Sequence, residues 1–400
     1  MSEDFRRIDE ISLHNTNKVL EAFREERIAV RHFAATNGYG YGDEGRESLG
    51  KVYARVFGAE SAIVSPAILS GTHAITVALF GVLRPDDRVL CITGTPYDTL
   101  RGVVYGEGNG SLADYKISFH EIPLDDGGSV QAELVRTALA ENDYKMIYIQ
   151  RSRGYELRDA FSIEQIEEMC SLVRKCGFEG CIFVDNCYGE FVEEAEPCAV
   201  GADLIAGSLI KNAGGGLAPT GGYLAGKNKY ISACENRLTA PSVGCEVGSY
   251  AYGYRLFYQG LFTAPHMVAQ ALKGSLLIGK CLESLGYENF PEIGKAPADI
   301  TRAIRFETEE ELTDFICSVQ ECSPIDSFVR PEAWDMPGYD CKVIMAAGTF
   351  VNGATGELSA DAPIRKPYTA YFQGGLSYEH CRIACERILG KLLARRGEIC

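Results

Sequence analysis

At 400 residues, 46% hydrophobic and 24% charged, the chain is long enough for two or three domains and has the balance of a globular protein, not a disordered or fibrous one. Its formal net charge of -16 argues against nucleic acid as a partner, because phosphates attract basic surfaces. No stretch approaches the roughly 18 consecutive apolar residues of a membrane span, and the opening MSEDFRRIDEISLHN lacks the apolar run of a secretory signal.

Residues 1–46 read as a charged helix followed by a Gly/Tyr loop, too poor in apolar residues to form a core, so they are expected to pack on another surface. In that loop GYGDEG (40–45) matches GxGxxG, but no apolar strand precedes it, and Asp43 and Glu44 would repel a pyrophosphate. From residue 47 strand and helix periods alternate. Strand candidates are 61–65, 88–93, 116–122, 145–150, 181–185, 203–208 and 221–226, with amphipathic segments such as VQAELVRTALAE and IEQIEEMCSLVRKCG between most of them. That alternation predicts an α/β fold over 47–283: a mostly parallel seven-stranded sheet covered by helices, ending in a long helix at 250–283. GKAPAD (294–299) marks a boundary, and 284–400, with ITRAIRF, KVIMAAGTF and LSYEHCRIACERILGKLLARR, is expected to be a smaller α+β domain. The fifteen cysteines form no CxxC pair and no Cys/His cluster at zinc spacing, so reduced thiols in a cytoplasmic enzyme and no metal site are expected. Cys381 and Cys385, one helical turn apart, read as buried small side chains.

In an open parallel sheet, ligands bind beyond the carboxyl ends of the strands, so polar residues that end apolar strands carry the functional signal. CIFVD ends in Asp185, DLIAGS runs into Ser208 and Lys211, and AIVSPAILS leads to Ser70, Gly71 and Thr72 at a helix start. Each alone has an ordinary explanation: a turn residue for Asp185, a solvated lysine for Lys211. Together they supply what one cofactor needs. Free N–H groups at a helix start bind phosphate, with Gly71 permitting close approach. A buried carboxylate keeps a pyridinium nitrogen protonated, and a lysine forms a Schiff base with an aldehyde. That inventory is pyridoxal 5'-phosphate. SLIK (208–211) also matches the SxxK of penicillin-binding enzymes, but NAGGG would break the helix that pair needs, and no KTG follows. A phosphate-binding P-loop places its glycines before the lysine, and here they come after it.

VDN (184–186), SLIK (208–211) and SGT (70–72) resemble the fold-type I pyridoxal-phosphate enzymes of cysteine and methionine metabolism. Longer blocks, NGYGYGDEGRESL (37–49), FVDNCYGEFVEEAEPCAVGADLIAGSLIKNAGGGLAPTGGY (183–223) and DAPIRKPYTAYFQGGLSYEH (361–380), are similar to the methionine gamma-lyase-like group, often called aluminium-resistance proteins. The resemblance implies a transferase-like fold of that type, with Lys211 as the Schiff-base lysine and Asp185 as the partner of the pyridine nitrogen. Gly71, Thr72 and Ser208, with Ser70 at the helix start, become the phosphate ligands. Tyr97 is implied to stack on the cofactor ring or to assist proton transfer, and Tyr39, Tyr41 and Arg46 to reach the phosphate of a neighbouring subunit. A homodimer or homotetramer with shared active sites follows. Two departures stand out. Ile210 replaces the usual hydroxyl residue before the lysine, and DAPIRKPY replaces the signature that supplies a substrate-carboxylate arginine, leaving Arg365 as the candidate.

The implied activity is a carbon–sulfur lyase on a sulfur amino acid, of the methionine gamma-lyase or cystathionine beta-lyase type. Lys211 would act neutral as the base that removes the Cα proton, a state expected from desolvation and cationic neighbours. Transamination, gamma-replacement, desulfuration or a noncatalytic cofactor-binding role would share these motifs.

Overall fold

The computed structural model describes residues 2–395. After α1 (Ser2–Glu25) and α2 (Glu44–Phe57), the strands β1 (Ser61–Ser65), β2 (Arg88–Cys91), β3 (Ser118–Glu121), β4 (Met146–Gln150), β5 (Cys181–Asp185), β6 (Leu204–Ser208) and β7 (Gly222–Gly226) form one sheet. Its order is β1-β7-β6-β5-β4-β2-β3, and β7 runs antiparallel to both neighbours while the remaining pairs are parallel. Strands β4 to β7 are buried along their whole length, which matches their continuous apolar runs and helices on both faces. The strand period of two sorts their side chains: Ile147, Ile149, Ile182 and Val184 enter one core, while Met146, Tyr148, Cys181 and Phe183 enter the other.

The first core is completed by α2, α6 (Ile163–Lys175) and α8 (Arg255–Ser284); the second by α3 (Gly71–Val82), α4 (Asp98–Tyr105) and α7 (Asn228–Leu238). The helix α5 (Ala132–Glu141) adds Val135 to the first. The surface that α1 was expected to need lies on its own chain. Ile8, Val19 and Ala22 of α1 join the first core beside α8, and Asn15 Nδ2 donates to the carbonyls of Phe191 (3.2 Å) and Glu193 (2.9 Å). The buried side of the amino-terminal helix is thus covered within the chain, while Leu13 and Leu20 of the same helix stay exposed.

A second sheet, antiparallel throughout, is built from β8 (Asn289–Phe290), β9 (Thr301–Arg305), β10 (Val343–Ala346), β11 (Ser359–Pro363) and β12 (Thr369–Gln373), in the order β10-β11-β12-β9-β8. It packs with α9 (Glu309–Glu321) and α10 (Tyr378–Arg395) around a third core. Phe257 to Leu272 of α8 belong to the first core, and Ile278 and Leu282 to the third, so one helix ties the two sheets together. Cys381 and Cys385 are free and buried in this region.

Candidate active site

The loops leaving β4, β5 and β6 meet in a cavity of about 230 Å³ at the carboxyl end of the large sheet, roofed by residues of the small one. Strand β5 stops at Asp185 because its carboxylate turns back to accept the N–H of Cys187 at 3.1 Å, an Asx turn. Strand β6 stops at Ser208, and Lys211 follows. The chain then doubles back under α8. Gly215 has φ +56, and a Cβ there would strike the carbonyl oxygen of Gly260 on α8, so both the backbone conformation and the close approach call for glycine. Asn212 pins the turn by donating through Nδ2 to the carbonyls of Tyr188 (2.9 Å) and Glu190 (3.0 Å).

One end of the cavity is a cradle at the start of α3. Ser70 caps α3 by accepting from the N–H of His73 at 3.1 Å, which leaves the N–H groups of Gly71 and Thr72 at the open helix end. A Cβ on Gly71 would lie 3.1 Å from Cys187 Sγ and 3.5 Å from Ser208 Cβ, so a side chain there would narrow the cradle. Ser208 Oγ is buried there with no hydrogen-bond partner among the described residues. Tyr97, which precedes α4, hydrogen-bonds through its hydroxyl to Thr72 Oγ1 at 2.9 Å, and its backbone N–H is held by Gln150 Oε1 at 2.8 Å. Burial, with Asp185 nearby, pushes the Tyr97 phenol well above its ordinary range, so it keeps its proton.

Lys211 and Asp185 both line the cavity, near enough for their charges to interact. Burial raises the Asp185 carboxyl, and the Lys211 charge and the Cys187 N–H oppose that shift. Burial works against the Lys211 ammonium, whereas the surrounding Cys187, Tyr188, Asp185 and Tyr97 favour it, and the net shift is upward. This corrects the expectation of cationic neighbours: the groups around Lys211 are acids. Lys211 Nζ sits 3.9 Å from the ring centroid of Tyr188. Tyr188 carries φ +72, a left-handed backbone costing on the order of 1–3 kcal/mol for a bulky residue and held here beside the reactive amine.

Seven of the expected residues are thus together: Ser70, Gly71, Thr72, Tyr97, Asp185, Ser208 and Lys211 all line the cavity. Four are elsewhere. Arg365 lies in an adjoining cleft, its guanidinium 3.0 Å from Asp340 and 3.9 Å from Asp98. Tyr39 and Tyr41 are exposed and stacked on each other at 5.3 Å. Arg46 donates to the carbonyls of Gly40 (3.1 Å) and Gly248 (2.6 Å). Arg153 was missed. It is buried in the cavity wall, with Nη1 on the Phe290 carbonyl at 3.0 Å, Nη2 3.9 Å from Asp299 and Nε without a partner. The signal was available, because QRSRGY (150–155) continues from the carboxyl end of β4. Asp361, Tyr371 and Gln373 of the small sheet, also in the wall, had no such signal.

Among the described residues, no group of three His, Cys, Asp or Glu could hold a metal, and no helix is long and apolar enough to cross a membrane. The methionine gamma-lyase family model matches residues 1–393. The uncharacterized protein YnbB of Bacillus subtilis is 48% identical over 394 residues, covering 98% of this chain and 93% of that protein. The crystal structure of a carbon-sulfur lyase involved in aluminum resistance from Clostridium novyi NT superposes with a TM-score of 0.93 at 46% identity, covering 98% of this chain and 92% of the other. The pyridoxal-5'-phosphate-dependent protein YhfS of Escherichia coli shares the fold alone, with a TM-score of 0.65 at 16% identity and 97% of each chain covered.

Proposed function

The chain belongs to the methionine gamma-lyase family, and from that premise we propose that it is a pyridoxal-phosphate-dependent carbon–sulfur lyase acting on a sulfur amino acid. The observation that carries this reading is the pairing of buried Asp185 with Lys211 in a cavity whose far end holds an open helix start and the orphaned Ser208 hydroxyl. An unpartnered buried hydroxyl beside free N–H groups fits an absent phosphate oxygen, and the narrow Gly71 cradle fits the same group.

When bound, pyridoxal 5'-phosphate supplies an aldehyde for capturing amines and an electron sink for the Cα electron pair. The chain's own residues do the rest. Gly71, Thr72 and Ser208 hold the phosphate, and Asp185 keeps the ring nitrogen protonated. Tyr97 presents a ring face and, with its phenol proton retained, a donor instead of a base. Arg153, whose Nε is free, is better placed than Arg365 to take the substrate carboxylate. Lys211 Nζ takes the Cα proton and returns one to the leaving sulfur; the C–S bond breaks, and the released unsaturated amino acid hydrolyses to a keto acid and ammonia. Tyr39, Tyr41 and Arg46 serve a neighbouring copy in a homodimer or homotetramer. Arg46→Ala and Lys211→Ala subunits mixed in one oligomer would then regain activity, and no recovery would refute shared sites.

The test of the reaction is incubation of the cofactor-loaded chain with L-methionine, L-cysteine and L-cystathionine, reading keto acid. No keto acid from any of them would remove the lyase reading. A visible absorption band of the bound cofactor that Lys211→Ala leaves unchanged would remove the assignment of Lys211.

A further inference from the structure

The cavity holds a carboxyl group that the chemistry above leaves unused. Asp361, on β11, opens into it from the small sheet. Its Oδ2 accepts from the Tyr155 hydroxyl and its Oδ1 from Gln373 Nε2 at 3.2 Å; both donors are neutral. An ionised carboxylate offers about four acceptor sites, so about two remain for a ligand. Burial raises the Asp361 carboxyl, opposed by its hydrogen bonds with Tyr155 and Gln373 and by the charge of Lys211, an amine that Asp185 shares. A bound phosphate would add further negative charge to the same space. An acid so placed either stays protonated or waits for a cation from outside the chain.

Aromatic rings flank the spot. Tyr155 lies with its centroid 4.9 Å from that of Tyr371 and 5.4 Å from that of Tyr339, and all three line the cavity. Ring faces beside a carboxylate are the surroundings in which an ammonium group is held well after leaving water. Arg153 is a cationic anchor in the same wall for the substrate carboxylate, so the cavity offers one site of each sign.

Resting on the lyase reading, we propose that Asp361, with the rings of Tyr155, Tyr339 and Tyr371, is a specificity-determining subsite for a second ammonium group carried beyond the sulfur of the substrate. The favoured substrates are S-substituted cysteines or homocysteines that end in a primary amine. Methionine, whose S-substituent is a neutral methyl group, is a poor one.

The test uses two isosteric compounds, S-(2-aminoethyl)-L-cysteine and S-propyl-L-cysteine, which differ only in a terminal ammonium against a methyl group. The cofactor-loaded wild-type chain is assayed for keto acid release, and dissociation constants are measured by calorimetry on the Lys211→Ala chain supplied with cofactor. The aminoethyl compound is expected to be favoured at least tenfold in kcat/KM, mostly through KM, and at least tenfold in Kd. Asp361→Asn, placed in the wild-type and Lys211→Ala backgrounds, brings both ratios to within about twofold of one and leaves the cofactor absorption band in place. Equal values for the two compounds in the wild type, or a preference that survives Asp361→Asn, would overturn the subsite. If neither compound releases keto acid, the lyase reading falls while the Kd ratio still decides the subsite; if no cofactor band forms, the same ratio is measured on the chain alone. Tyr339→Ala, on a loop outside the three cores, serves if Asp361→Asn does not fold, and it too must lower the ratio.

Discussion

Replacing Ser208 by alanine moves two measurable quantities in opposite directions. The Ser208 side chain is 1% exposed and its Oγ has no partner among the described residues, so the unliganded fold carries a desolvated hydroxyl with no compensating bond. Such a group costs about 1–3 kcal/mol, and Ser208→Ala removes it with the loss of a single atom. The unliganded variant is therefore expected to be as stable as the wild type or up to ~2 kcal/mol more stable in urea denaturation. If that hydroxyl donates to a phosphate, the same change removes a hydrogen bond to a charged group, worth roughly 1.5–3 kcal/mol. The cofactor Kd should then rise about 10- to 150-fold, read by titrating unliganded chain with pyridoxal phosphate. A destabilised unliganded variant with unaltered cofactor affinity would refute the argument, since it would mean that Ser208 serves the fold and not the ligand.

The remaining predictions address the substrate end, the ring face and the pH dependence of the fold. Arg153→Lys, which keeps a cation opposite buried Asp299, should raise KM about 10- to 100-fold with little change in kcat, whereas Arg365→Ala, in the adjoining cleft, should alter KM by less than about threefold; the reverse pattern in steady-state kinetics would restore Arg365 as the carboxylate anchor. Tyr97→Phe loses the 2.9 Å bond to Thr72 but keeps the ring, so cofactor affinity should fall by less than about tenfold, and Tyr97→Ala should weaken it further; equal losses in fluorescence titration would argue against stacking. Glu190, behind the Lys211 turn, is fully buried, and burial raises its carboxyl from 4.5 to about 8. Because the folded value lies above the unfolded one, the stability linked to this group is fully present below about pH 4.5 and is lost as pH rises towards 8. Glu190→Gln, its neutral isostere, should be more stable than wild type by about 3–4 kcal/mol at pH 8, with the gap closing by pH 5. Parallel denaturation curves at both pH values would contradict this.

Much of the large domain was legible because its determinants are local. Each of the seven candidate segments contains a strand, the ends differing by up to two residues, and the turns that stop β5 and β6 are written in Asp185 and in the glycines after Lys211. Ser70, Gly71 and Thr72 were legible for the same reason, as a helix start is recorded in consecutive residues. The destination of α1 was not legible. Its sparse apolar stripe needs a partner, but nothing in 24 residues says whether that partner is α8 of the same chain or another subunit. The acidic surroundings of Lys211 were not legible for a related reason, since Cys187 and Tyr188 follow β5 while Tyr97 precedes α4, and they meet only in the folded chain.

The same division separates chemistry from selectivity. The groups assigned to the cofactor end two parallel strands or open one helix, positions that the connectivity of an open sheet brings to one edge wherever the rest of the chain goes. The groups assigned to the substrate do not share that guarantee. Asp361 and Gln373 lie diagonally across β11 and β12, joined by a side-chain hydrogen bond, and they belong to the small sheet, which α8 ties to the large one. A change in how α8 packs would thus move Asp361 relative to Lys211 without disturbing Asp185, Ser208 or the α3 start. On the proposed reading, selectivity would be set by a tertiary contact between two sheets, whereas the capacity for the reaction would be set within one of them.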